Sequence, residues 1–575
     1  MPADTAPAAA PRLLSGKGAR KPFPVWAMLG VALAVTFVTL LPGVRLLVTA
    51  LAPGGEFDLA AFIERLTTTS AMRATWRTLD TAFFGAILSM MIGAPFAIAV
   101  AMTNMPAARM MGFVLLLPLM IAPQVTALAW LNLAGPSSAL LGLLGIAPPP
   151  GTPNPVLGRG GIILLYGVQH APLVFVTMRA GLASIPRDLV EAARASGASQ
   201  KRVIFDVVLP LIRPYVVAAA ALAFVSGVGN FGIPALLGMP VNYLTLPTLI
   251  YQQMTSFGPS VLPDMASLSV LIAVLAMVGV VGQSAALRHR RARYAGGLPA
   301  RFDLGAWRWP LAALAFVVVG LLVVMPIAAL VSTALVPSYG VPLTAETATL
   351  ANFTEVLTRQ ASTLRAFRNS TLLAAGAALI LAACAIPLAV ALANVKPRTA
   401  RIAQGLLELP YALPGIVLAI ACILLFLRPL PLIGSLYATF WIMLIAYLMR
   451  FAVLALRPVT AAVERIPNDL SEAAAASGAS PLRRLLTITA PLTAPAAVAG
   501  ALLVFMSAFN ELTVSALLWS GGKETLGVVL FSLEEAGLGT HAAAIAVATI
   551  VVVIVILGLL DRVGRRLPAG VLPWR

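Results

Sequence analysis

Charge is what this chain has least of. Of 575 residues only 10% are Asp, Glu, Lys or Arg, while 60% are hydrophobic. A mean hydropathy of +0.95 lies far outside the balance of a soluble domain. Acid is scarcer than base, with 21 Asp and Glu against 39 Lys and Arg and a formal net charge of +18. Such an excess can signal nucleic acid, but here the basic residues fall in short loops between apolar runs, where they act as topology signals. A nucleic-acid partner is therefore not expected. Cysteine is nearly absent: Cys384 and Cys422 both lie inside apolar runs, which excludes a disulfide framework and a Cys-ligated metal and leaves two small buried hydrophobes. No catalytic constellation, metal-ligand set or cofactor is expected.

What is present reads as an all-α polytopic membrane protein. A crossing takes about 20 apolar residues, and twelve runs qualify, near 25–51, 78–102, 111–134, 161–181, 215–237, 264–287, 311–335, 370–393, 402–427, 435–456, 496–518 and 541–560. The first run is long enough to span behind Arg12, Lys17, Arg20 and Lys21, so it reads as an uncleaved helix rather than a signal peptide. Those residues, the cluster Arg288, Arg290, Arg291 and Arg293, and Arg562, Arg565 and Arg566 should all face the cytoplasm. Twelve crossings satisfy that. The expected parts are a tail 1–24, a first half 25–287, a basic linker 288–310 containing Gly296 and Gly297, a second half 311–561 and a tail 562–575.

The halves repeat. LVEAARASGASQKRVIFDVVLPLIRP begins at Leu189 and LSEAAAASGASPLRRLLTITAPLTAP at Leu470. Glu191 matches Glu472, Gly197 matches Gly478, Pro210 matches Pro491 and Pro214 matches Pro495, always at an offset of 281. The same offset pairs Tyr166 with Tyr447 and Phe224 with Phe505, while around the second and third spans 291 pairs Arg77 with Arg368 and Pro123 with Pro414. The difference places an insertion of about ten residues in the Pro-rich external segment Gly135 to Gly158, where added chain costs little. An even number of spans separates the copies, so they form tandem six-helix parallel repeats about an axis along the membrane normal.

Each polar stretch, 185–214 and 466–495, reads as an elbow. Pro186 with Asp188, and Pro467 with Asn468 and Asp469, are helix-start residues, and Gly197 and Gly478 are helix stops. A helix of barely three turns is marginal alone, so its stripe of Leu189, Ala192 and Ala193 beside Glu191 and Arg194 calls for something to pack against. Ser199 and Ser480 should begin a second helix ended by Pro210 or Pro491. The order Glu191, Ala192, Ala193, Gly197, Val207, Leu209, Pro210 resembles the EAA loop of type I ABC importer permeases. Glu472, Ala473, Ala474, Gly478, Ile488 and Pro491 repeat it, with Ala490 departing from the Leu.

That resemblance implies a transmembrane permease subunit of the bacterial inner membrane with both termini cytoplasmic. It also implies two ABC ATPase subunits docked at the two loops and a periplasmic or lipid-anchored substrate-binding protein. The permease of such a system holds no nucleotide. In agreement, Gly521, Gly522 and Lys523 fail as a phosphate loop, because Leu517 stands where its first Gly belongs and Glu524 where its hydroxyl belongs. Candidate pathway residues are Asn230 and its match Glu511, Asn510 opposite Gly229, and Arg450, which corresponds to Gln169 and is either Glu511's partner or an anchor. His170 reads as a core histidine. Pro118, Pro123, Pro410 and Pro414 interrupt spans three and nine. The stretches FNELTVSALLWSGGKETLGVVLFSLEEAG from Phe509 and NFGIPALLG from Asn230 are most similar to ferric-iron permeases, and Glu511, Glu534 and Glu535 could offer a hard cation oxygen. Thiamine, aminoethylphosphonate and polyamine importers are the alternatives. A secondary transporter has no use for two EAA loops.

Overall fold

In a computed structural model of the chain, residues 30, 33, 41–183, 185–288, 302–429 and 434–564 are described. The basic residues Arg12, Lys17, Arg20, Lys21, Arg290, Arg291, Arg293, Arg565 and Arg566, with Gly296 and Gly297, lie outside them. Among the described residues nine helices are long and apolar enough to cross a membrane, and eleven spans result when each of two bent pairs counts once. They coincide with eleven of the twelve expected runs. Of the run 25–51 only Leu41–Leu51 is a continuous described helix.

The first half comprises α1 (Leu41–Leu51), α2 (Thr69–Met102), α3 (Ala108–Met120), α4 (Pro123–Ala134), α5 (Arg159–Ala183), α6 (Arg187–Ala195), α7 (Leu209–Val228), α8 (Gly232–Leu237), α9 (Leu246–Gln253) and α10 (Val261–Arg288). The second comprises α11 (Arg308–Val319), α12 (Met325–Ala334), α13 (Ala361–Asn394), α14 (Pro397–Ala412), α15 (Gly415–Phe426), α16 (Phe440–Val463), α17 (Asn468–Ala476), α18 (Ala490–Phe509), α19 (Ser515–Leu518), α20 (Leu526–Glu535) and α21 (Gly539–Gly564). Each half is built on three mutually packed helices, α2, α5 and α7 in the first and α13, α16 and α18 in the second. Small residues let them approach. A Cβ on Gly93 of α2 would lie 2.5 Å from the Ala171 carbonyl oxygen and 2.8 Å from Val174 Cβ, the close backbone contact that small residues permit between helices in lipid.

Spans three and nine are broken. Between α3 and α4 the chain turns by 104°, and between α14 and α15 by 101°. The cause is local: Ala122 before Pro123 and Leu413 before Pro414 take extended backbone, ψ 138 and 140, as the residue preceding a proline prefers. The inner pieces then cross between halves. α4 packs on α12 and α21 of the second half, and α15 packs on α1 and α10 of the first. Two bundles become one body through that exchange.

Four expectations need correction. Of the two cysteines only Cys422 is buried, while Cys384 is exposed on α13. The spans placed at 215–237 and 496–518 end at Val228 and Phe509, because the chain breaks there into the short helices α8 and α19. Pro210 and Pro491 do not end a helix. Each follows a π-turn, Ile204–Val208 or Leu485–Thr489, that leads into α7 or α18; widening the turn to i→i−5 bonding accommodates a ring that clashes with the ordinary i−4 carbonyl. The register of the second span is 292, not 291. Thr78 Oγ1 accepts from Leu246 N–H at 2.8 Å and Ser370 Oγ from Leu526 N–H at 2.9 Å, and Pro95 and Pro387 share that spacing. The identity of Arg77 with Arg368 misled by one position, since Arg77 is structurally matched by Asn369: both donate to carbonyls of matching loops, Arg77 to Asn242 at 2.9 Å and Asn369 to Gly522 at 3.3 Å.

Gly93→Val should lower stability by about 3 kcal/mol, at the upper end of overpacking costs because a backbone carbonyl must move. Gly376→Ala should be neutral, its Cβ meeting only Leu444 Cδ1 at 3.6 Å. Thermal unfolding of both purified variants in detergent checks the contrast.

Candidate functional site

Each elbow folds as its sequence dictates. Proline at the start fixes the first turn of α6 and α17, with Pro186 and Pro467 at the N-caps. Gly197 and Gly478 lie at φ +83 and +82, the left-handed cap that glycine adopts freely. Ala198 N–H reaches Ala193 O at 3.1 Å and Gly197 N–H reaches Arg194 O at 2.9 Å, and the second copy repeats both bonds at 3.0 Å from Ala479 to Ala474 and from Gly478 to Ala475. Ser199 and Ser480 then cap the next turn, accepting from Arg202 and Arg483 N–H. Glu191, Ala192, Glu472, Ala473, Pro210 and Pro491 are exposed, and Ala193 and Ala474 half-buried. Glu191 pairs with Arg187 at 2.5 Å. The two helices therefore offer their Glu-Ala faces outward, at the same end of the molecule.

The second site is the seam between halves. The break in span three frees carbonyls that hydrocarbon would leave unpaired. Gln169 Nε2 donates to Pro118 O at 2.6 Å, and Asn510 Nδ2, from the other half, donates to Met120 O at 3.2 Å. Gln124, buried on the first turn of α4, reaches back to Asn510 O at 3.5 Å. At the matching break Pro414 packs on Gly229, and Gly415 leaves room that Arg450 Nη1 and Thr513 Oγ1 occupy. The partners thus differ: Gln169 and Asn510 in one crossing, Arg450 and Gly229 in the other.

Asn230 and Glu511 do one shared job. Both are buried. Asn230 Oδ1 accepts from Ile233 N–H at 3.1 Å, closing the first turn of α8; Glu511 Oε2 accepts from Val514 N–H at 2.8 Å and Ser515 N–H at 3.4 Å, closing α19. Glu511 Oε1 also accepts a hydrogen bond from the Thr513 hydroxyl and faces Arg450 Nε at 3.8 Å. Arg450 is thus the partner of Glu511. Where the second half sets Arg450 against Glu511, the first half carries the neutral residues Gln169 and Asn230 at the matching positions. His170 is fully buried beside Tyr166, ring centroids 5.4 Å apart.

Beyond these breaks lies a contact that sequence reasoning missed. Thr245 and Thr525 begin α9 and α20, so Tyr251 and Phe531 occupy matching positions. Their rings meet edge-on at 5.9 Å, with Phe231 5.1 Å from Tyr251 and 6.1 Å from Phe531. Residues exchanged by a twofold axis touch only near that axis, so the aromatic trio plugs the seam at the end opposite the elbows. The one-residue change from 281 to 280 in this stretch hid the match. Among the described residues no three His, Cys, Asp or Glu side chains lie together to hold a metal. Glu534, on α20 outside the candidate spans, has its carboxyl pushed up to about 7 by burial.

The family described as "Binding-protein-dependent transport system inner membrane component" matches residues 93–294 and again 385–569. The chain belongs to this family. Each match contains one elbow and one broken span, so the permease carries two copies of the family unit in a single chain. A probable ABC transporter permease protein of Sinorhizobium fredii is 28% identical over 518 residues, 87% of this chain and 89% of that protein. An Fe(3+)-transport system permease protein of Haemophilus influenzae is 24% identical over 395 residues, 67% of this chain and 72% of its own. A putative 2-aminoethylphosphonate transport system permease protein of Salmonella paratyphi A is 28% identical over 185 residues, 32% of this chain and 68% of its own. Among solved structures, the MetNI methionine ABC transporter in inward-facing conformations matches 40% of this chain and 99% of its own chain at 22% identity and TM-score 0.31, too slight a likeness to build on.

In this permease, Arg450→Gln alone strands the Glu511 carboxylate and should cost about 3–5 kcal/mol. Adding Glu511→Asn removes the stranded charge and restores the residue types that the first half has at these positions, so it should regain most of that loss; a double variant no more stable than the single one in thermal denaturation would contradict the Arg450–Glu511 pairing. Tyr251→Cys with Phe531→Cys, made in a Cys384→Ala background, should be joined by a short bifunctional thiol reagent. Joining should arrest uptake until the link is cleaved, whereas full transport with the link intact would show that the seam does not open there.

Proposed function

We propose that this permease moves ferric iron inward across a bacterial inner membrane, with both termini cytoplasmic. In this reading ATP is hydrolysed on two separate ATPase subunits seated on α6 and α17, and a periplasmic or lipid-anchored binding protein delivers the cargo at the aromatic end. The iron assignment rests on one observation. The likeness to the Fe(3+)-transport permease runs over 395 residues, more than either half contains, whereas the aminoethylphosphonate likeness runs over 185, within the length of one repeat. That second likeness makes 2-aminoethylphosphonate the alternative cargo. Uptake of labelled ferric iron and of labelled 2-aminoethylphosphonate by proteoliposomes holding the permease, its ATPase and its binding protein separates them; phosphonate uptake without iron uptake would reverse the assignment.

Within that cycle Asn230, Asn510, Glu511 and Arg450 belong to the pathway as its hinge rather than as ligands of the cation. Glu511 is already claimed by two backbone N–H groups and a guanidinium, and a carboxylate so engaged has little left to give an ion crossing beside it. The seam they line is where the halves must part.

The elbows yield a sharper expectation. Among the described residues nothing lies within 4 Å of a Cβ on Gly197 or Gly478, so a larger residue there meets its own left-handed backbone, a strain of about 1–3 kcal/mol, and whatever docks on the helix. Gly197→Val or Gly478→Val should leave the protein in the membrane and lower substrate moved per ATP hydrolysed. Wild-type ratios in both variants would remove these glycines from coupling.

A further inference from the structure

The two elbows are not held equally. In α6 the one buried residue is Val190, while α17 has none. Val190 belongs to an apolar cluster with Val203, Val208 and a residue from outside the half, Phe302, which is only 6% exposed. Phe302 lies in the 288–310 segment that joins the halves, and it is pinned there. Its N–H donates to Met102 O at 2.6 Å at the end of α2, forming an isolated bridge with Thr103. Asn104 Nδ2 donates to Asp303 Oδ1 at 2.5 Å, and Asn104 Oδ1 accepts from Leu304 N–H at 3.1 Å. The Gly305 N–H and then the Asn104 amide hold the Asp303 carboxyl below its ordinary range. Over this anchored ring lies the guanidinium of Arg194, 4.8 Å from the centroid, within cation–π reach.

Among the described residues the second half has no matching contact. At the offset of 281, Ser471 stands where the first half has Val190, and Ala475 where it has Arg194. Arg484 stands where it has Val203, and its Nη1 donates to Ser471 Oγ at 3.2 Å, an exposed polar tie in place of a buried apolar one. We propose that the described end of the inter-half linker, from Phe302 to Gly305, is a strut: Phe302, wedged between the end of α2 and Arg194, is a positioning residue that stiffens the first coupling helix, leaving the second to move. The two ATPase docking sites are then mechanically unequal, one rigid and one compliant. That consequence, though not the strut, rests on the docking reading above.

Backbone hydrogen exchange of the full chain in lipid nanodiscs tests the strut without any partner. Amides of Arg187–Ala195 should exchange more slowly than those of Asn468–Ala476. Phe302→Ala should speed the first helix by on the order of tenfold and leave the second unchanged, while Phe302→Tyr, which keeps the ring, should keep it slow. Equal rates in the wild type, no change in Phe302→Ala, or acceleration of both helices together would overturn the proposal. A second arm cross-links Ala192→Cys and Ala473→Cys to the ATPase subunits. Phe302→Ala should cut the yield from position 192 several-fold relative to position 473, and an undiminished yield overturns the positioning role. No cross-link from either position, even with Phe302 intact, sinks the docking reading and leaves the exchange result to decide the strut.

Discussion

A helix broken inside hydrocarbon must find partners for the backbone groups it sets free, because no water is there to take them. Spans three and nine of this permease are broken by 104° and 101°, and much of the rest of the structure answers that requirement. The carbonyls at the first break are taken by Gln169 from within the half and Asn510 from across the seam. The halves are therefore joined by hydrogen bonds that neither can make alone. A break that would weaken an isolated bundle becomes the reason for two bundles to stay together, and parting them along the seam means giving up or exchanging these bonds.

Packing follows the same logic. The pieces beyond each break leave their own bundle and lie against the first and last spans of the opposite half. At the axis the structure closes with aromatic rings rather than polar groups. Rings of this size bury a large apolar area yet stack without directional bonds, so the contact can part without stranding a polar group. Aromatic rings close the seam at one end of the permease, and the exposed elbows lie at the other.

Much of this was legible in the sequence because it follows from strong local rules. Apolar length located eleven of the described spans, prolines located both breaks, and glycines at 197 and 478 announced left-handed caps. What escaped reading was set by non-local contact. A single matched arginine put the second span one residue out of register, because helix register is decided by what packs around it and not by one identity. Pro210 and Pro491 looked like terminators, but a π-turn absorbs the ring. Tyr251 and Phe531 share neither residue type nor the common offset, so only their meeting at the axis reveals them as a pair. The linker read as a plain basic connection, and nothing in its composition showed that one phenylalanine would lie beneath the neighbouring elbow.

The charged pair at 450 and 511 and its neutral counterpart at 169 and 230 bear on why one long chain serves where two short ones would. A complex of two identical subunits receives every substitution twice, so an Arg and Glu introduced at the seam would appear on both sides of the axis. The fused chain can place that pair once. It can also supply a connecting segment to one elbow only. Covalent linkage thus frees the two copies from each other's history, although any route between the pairings passes through a sequence with one unmatched charge in the bilayer. Those two sites are bound to drift together or stay fixed.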